Sequence, residues 1–110
     1  LSMDHKAFIE KLEQYVKKII QELNAMQVFK AERLFPGPNG QPYPRALARI
    51  TEDFKAEELA KLMKNSNPGV YIGVSKEHEN SIYINPLNLK NSEVEIVIDT
   101  LKKCVNKLMN

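Results

Sequence analysis

The residues of this 110-residue chain best fitted for chemistry lie in one stretch, Phe35 to Arg45, which reads FPGPNGQPYPR. It ends on an arginine, and a guanidinium offers a planar fork of N–H donors that matches the paired oxygens of a carboxylate or phosphate. The same stretch holds four of the six prolines and two of the four glycines. Proline fixes φ and donates no backbone N–H, whereas glycine opens the positive-φ conformations that turns need. The loop is therefore stiff apart from Asn39-Gly40, where it can turn. Reversing the chain would need only an Asn-Gly pair. A longer, shaped loop on a small scaffold is where binding residues concentrate.

Other chemistry is thinly provided for. His78 stands between Glu77 and Glu79 in a polar turn, and a zinc site would need further ligands at set spacing, which do not follow. Cys104 falls on a helix stripe and reads as a small buried hydrophobe. No Ser/His/Asp or Cys/His set with an orienting partner can be assembled. Lysines are plentiful, but each falls on a polar helix face, a strand edge or a turn, and a Schiff-base lysine needs a desolvated pocket. No catalytic residue and no metal ligand is therefore assigned. The chain reads as part of something catalytic or as a binding module.

Composition narrows the classes further. Hydrophobic residues make up 43% and charged ones 27%, ordinary values for one small globular domain. The formal charge of +2 is close to balanced and the lysines are spread rather than massed, which does not indicate nucleic acid or an anionic membrane. A single cysteine cannot form an internal disulfide, and no apolar run approaches a membrane span. With no signal peptide in view, a cytoplasmic setting is expected. Leu1-Ser2-Met3 reads as a remnant of expression cloning, leaving residues 4–110 as a single domain.

The elements that must position the loop follow from periodicity. Asp4 to about Met26 is expected to be a long amphipathic helix, because Ile9, Leu12, Val16, Ile19, Leu23 and Met26 recur at spacings of three and four. Phe8, Tyr15 and Ile20 widen its apolar face. Val28 to Phe35 and Tyr43 to Thr51, on either side of the loop, read as an antiparallel strand pair. In the second strand Ala46, Ala48 and Ile50 share one face; Arg45, Leu47 and Arg49 share the other, its arginines solvated or aimed at an anion. A shorter helix opens at Asp53 or Lys55, turns Leu59, Leu62 and Met63 inward, and stops at Asn65-Ser66-Asn67-Pro68-Gly69. VYIGVS and SIYIN, joined by KEHEN, read as a hairpin. Ser92 with Glu95 predicts a capping box ahead of a last helix striped by Val94, Val97, Leu101, Cys104 and Leu108. The order α-β-β-α-β-β-α points to an α+β fold, a mainly antiparallel four-stranded sheet with helices mostly on one face. Tyr71, Tyr83, Phe8 and Tyr15 then mark surfaces that another domain or a second copy would cover.

Three runs carry a family resemblance: RLFPGPNGQPYPRALARI, EELAKLMKNSNPGVYIGV, and SIYINPLNL with the capped helix after it. From about Ile20 to Leu108 the chain resembles the C-terminal small domain of a pyridoxal-phosphate-dependent family of fold type I. This is the selenocysteine-synthase-like family of L-seryl-tRNA(Sec) selenium transferase and D-glucosaminate-6-phosphate ammonia lyase. The resemblance implies the same α+β fold, in the C-terminal domain of a longer transferase or lyase. It also implies pyridoxal phosphate in the full-length enzyme, with none bound to this part. The partner would be a large domain carrying the Schiff-base lysine, the phosphate-binding loop and the aspartate at the pyridine nitrogen. The full-length enzyme would be a homo-oligomer acting on an amino acid or amino-sugar phosphate, tRNA suiting a more basic surface. By the same resemblance Asn39, Gly40, Gln41 and Arg45 line the side facing the cofactor cleft, with Arg45 offered to a carboxylate or phosphate of the substrate. Pro42 and Pro44 would hold it ready. The alternative within the loop is structural, with Arg45 paired to Glu32 across the hairpin. The alternative for the whole chain is a stand-alone interaction module such as a secretion-chaperone-like dimer, a class usually acidic where this chain is mildly basic.

Overall fold

The computed structural model describes residues 3–35, 43–67, 69–86, 89 and 91–109. In chain order these form helix α1 (Met3–Ala25), strands β1 (Phe29–Leu34) and β2 (Arg45–Ile50), helix α2 (Ala56–Lys64), strands β3 (Gly73–Val74) and β4 (Ser81–Ile84), and helix α3 (Asn91–Met109). The fold is α+β, in the α-β-β-α-β-β-α order that periodicity predicts.

The stripe of α1 becomes core: Leu12, Val16, Ile19 and Leu23 are fully buried. The helix is closed by a residue that sequence gives no cue for. Gln27 adopts φ 63°, the left-handed conformation that ends helices, and the Met26 and Gln27 amides donate back to the Leu23 and Asn24 carbonyls.

The four strands pair antiparallel throughout, in the spatial order β1-β2-β4-β3. Period-two alternation turns Ala46, Ala48, Ile50, Ile82 and Ile84 toward the helices, where they join one core with Leu59, Met63, Val94, Ile98 and Leu101. Alanines on the central strand let α1 lie close, and each large side chain removed from water contributes about 1.5–3 kcal/mol. Asn80, at φ 44°, ties the hairpin turn to α2. Its side chain accepts the Ala56 amide at 2.8 Å and donates to the Phe54 carbonyl at 2.9 Å, so one residue satisfies an orphan amide at the helix start.

Three expectations need correction. Ser92 is not a cap, because α3 begins at Asn91 and Ser92 sits exposed in its first turn; Glu95 instead reaches across to Lys18 of α1. The back-reaching glutamate is found on α2, where Glu58 accepts the Lys55 amide at 3.1 Å. Tyr15 is not a surface residue: it is 6% exposed and belongs to the core. It shares a helix side with Lys18 and Glu22, which pair with Glu95 and Lys102 of α3, so that flank is turned to a neighbour. Finally, β3 is shorter than the VYIGVS run. The Val70 amide donates to the Met63 carbonyl at 2.9 Å, closing the end of α2 and holding the chain off the ladder until Gly73. Val70, Ile72 and Val74 still pack against the core.

Candidate functional site

The sheet has a second face, away from the helices. Register places Leu34 opposite Arg45, Glu32 opposite Leu47, and Leu47 opposite Tyr83 on this side, with Arg49 opposite Ser81. Ordinarily such a face is wet. Here Arg45 is 6% exposed and Leu47 4%, whereas Arg49 stays exposed. The alternation read from sequence is thus correct, but the two arginines it groups together have different surroundings.

Arg45 begins β2 where the proline-rich stretch ends. Its guanidinium carbon lies 5.8 Å from the centroid of the Tyr83 ring, within reach of a cation–π contact. Glu32 is held by register opposite Leu47, with Arg45 one pair further along. The Tyr83 ring passes over Gly73 of β3 so closely that a Cβ at residue 73 would stand 2.1 Å from Tyr83 Cζ. The β3–β4 turn borders the same face. His78 is pinned there by Ser75, whose hydroxyl lies 3.0 Å from His78 Nδ1 and accepts the His78 amide at 3.1 Å. Beside it run two depressions, one of about 300 Å³ reaching Leu34 and Tyr83 and one of about 520 Å³ reaching Glu32, Leu47 and Arg49.

This arrangement can hold a cation on an aromatic face and offer it to an anion. Every described lysine is exposed, and among the described residues no three His, Cys, Asp or Glu side chains gather to hold a metal. The resolved pKa shifts lie elsewhere: the Arg33 guanidinium hydrogen-bonded to Glu13 holds that carboxyl below its ordinary value, and Glu95 raises Lys18. Among the described residues no helix is long and apolar enough to cross a membrane.

Of the residues assigned to substrate from sequence, Arg45 lies on this face, and Asn39, Gly40 and Gln41 fall outside the described residues. Sequence marks Tyr83 only as part of a surface that a partner would cover, and gives Gly73 no functional role. A glycine inside a β-forming run does signal a close approach, but what approaches it depends on the pairing of β3 with β4. No protein-family model matches the chain, and no curated protein matches it either.

Proposed function

We propose that this chain serves as the small domain of a pyridoxal-phosphate-dependent enzyme resembling the selenocysteine-synthase-like family, where it helps close the active site and binds substrate. In this reading the chain's own residues do not form the cofactor site. The cofactor and its lysine belong, in this reading, to a large domain, and the exposure of every described lysine is in keeping with that. What this chain supplies is orientation. The supporting observation is Arg45, an arginine at the end of a proline-rich stretch, 6% exposed on a sheet face that carries no helix among the described residues. The planar fork of a guanidinium matches the paired oxygens of a carboxylate or phosphate. The substrate in this reading is an anionic amino acid or amino-sugar phosphate, and the reaction a group transfer or a lyase-type elimination.

The test is made on the product of the complete gene. Arg45→Ala is expected to lower kcat/KM about tenfold or more, equivalent to about 1.4 kcal/mol of lost transition-state binding, with cofactor absorbance intact. Unchanged kinetics in a folded variant would remove Arg45 from the site. A gene that ends near this chain's length, with no lysine-bearing large domain, would sink the whole reading in favour of a stand-alone interaction module.

A further inference from the structure

We propose that Tyr83 is the residue that positions Arg45, and that residue 73 is glycine so that it can. This rests on the proposed function only for the ligand, a carboxylate or phosphate; the stack of side chains stands on its own geometry.

An arginine has a long, rotamer-rich side chain, and an aromatic platform beside its fork limits where that fork can go. Register shows where the platform comes from. Leu47 is directly opposite Tyr83, so Arg45, two residues earlier on the same face, is a diagonal neighbour of that ring. Diagonal neighbours on a sheet are within reach of long and aromatic side chains. The guanidinium carbon has leaned along the strand to 5.8 Å from the ring centroid, and the arginine is almost wholly withdrawn from water. Across the other pairing, β4 with β3, Tyr83 is opposite Gly73. There the imagined Cβ would meet Cζ, Cε2 and Cε1 at 2.1, 2.4 and 2.5 Å. Those three atoms are the hydroxyl end of the ring, so the ring lies across the glycine in the space a side chain would fill. They are also the mobile end of a side chain. A methyl at residue 73 therefore displaces the ring and leaves the strand in place. The face reads, from edge to centre, as a glycine that makes room, a ring that fills it, and a guanidinium that rests on the ring.

This order separates positioning from mere filling. A ring that only fills space could be replaced by leucine with no change at Arg45. A ring that positions the fork could not, and a disturbance at Gly73 would be felt two strands away at Arg45.

The experiment uses nuclear magnetic resonance of the arginine Nε–Hε groups in the 110-residue chain, with the backbone amide spectrum as the check of folding. The assigned Arg45 Hε is expected to be shifted by the ring and protected from exchange. Tyr83→Leu and Gly73→Ala should each move it away from the wild-type position, and Tyr83→Phe should leave it unmoved. A wild-type signal already at the free position, or one unmoved in folded Tyr83→Leu or Gly73→Ala, overturns the proposal. Should Tyr83→Leu fail to fold, Gly73→Ala decides. In the complete enzyme, Tyr83→Leu is expected to raise KM about tenfold with kcat nearly unchanged, to be rescued by Tyr83→Phe, and to add little on top of Arg45→Ala. An additive double variant counts against positioning. If Arg45→Ala leaves kinetics intact while Tyr83→Leu moves the Arg45 signal, the proposed function fails and the positioning stands. The opposite pair of results rejects the positioning and keeps the function.

Discussion

The two faces of this sheet achieve burial by different means. Ile82 and Tyr83 are consecutive on β4, yet Ile82 is wholly buried among aliphatic side chains under the helices, whereas Tyr83 is half-buried on the face that bears none. On the helix side burial comes from layers, and any well-shaped hydrophobe of the right volume would serve. On the other side individual side chains lie against one another: Arg45 beside Tyr83, and Tyr83 across Gly73. Such an arrangement contributes less area and more geometry. A face that buries by layers tolerates exchange of one aliphatic residue for another, and a face that depends on the geometry of one pair of side chains does not.

The largest expected effect comes from breaking the layered side. Ile82→Ala removes a residue with no exposure at the centre of the core and leaves a cavity that the surrounding strands and helices close only in part. A loss of about 2–5 kcal/mol is expected in urea denaturation. Tyr83→Leu, one residue away, should lose much less than that and yet disturb Arg45 more. Comparable stability losses for the two would erase the distinction between the faces.

A smaller effect tests the clamp between them. Asn80 sits at the end of the turn that borders the open face, but its side chain holds the start of α2 on the helix side. Asn80→Ala would leave the Ala56 amide and the Phe54 carbonyl without these partners and place a methyl-bearing residue at φ 44°. The expected cost is about 1–3 kcal/mol by thermal or chemical denaturation, since a capping loss of about 1 kcal/mol is joined by left-handed strain. Asn80→Gly relieves the strain alone, so it should recover part of the loss. Recovery in full would mean that the two hydrogen bonds contribute nothing.

How much of this is legible in the sequence differs between the faces for the same reason. The helix side is written in periodicity. Stripes at three and four in α1 and α3, and alternation in β2 and β4, announce Leu12, Val16, Ala48, Ile82 and Leu101 as buried from local spacing. The open side depends on which strands meet. Tyr83 reaches Arg45 because β4 lies beside β2, and those strands are separated in sequence by α2 and by β3. No local spacing carries that pairing. The misreading of Tyr15 has a related cause, since α1 alone does not reveal that α3 lies along its flank. Ser92 with Glu95 matches the capping pattern, but Lys18 offered the glutamate a charged partner on another helix, and tertiary pairing won over the local motif. Gln27 is harder still, because glutamine has no intrinsic preference for the left-handed conformation it adopts.

The smallest expected effect lies at the rim of the helix side, where β1 is the edge strand. Arg33 donates to both carboxylate oxygens of Glu13, at 2.8 and 2.6 Å, and the Asn24 side chain exchanges hydrogen bonds with the backbone of Ala31 at 3.2 and 2.8 Å. Together they tie α1 over an edge that would otherwise offer its backbone to another strand. The ion pair is partly open to solvent, with side chains 46% and 38% exposed, so its worth is that of a surface bridge with good geometry, about 0.2–1 kcal/mol. The hydrogen bond from Arg33 is the main reason that the Glu13 carboxyl titrates below its ordinary value of 4.5, with burial opposing it and the charge of Arg33 adding to it. A carboxyl whose folded pKa is depressed gives stability that is complete above the unfolded pKa and disappears as pH falls through the folded one. The stability difference between wild type and Glu13→Gln should therefore be flat from neutral pH down to about 4.5 and shrink below it. It should also shrink in molar salt, which screens charges near the surface. Denaturation of both proteins across pH 2–7, at low and high salt, measures this directly. A difference that does not change with pH would mean that Glu13 holds the edge by packing, with its charge playing no part.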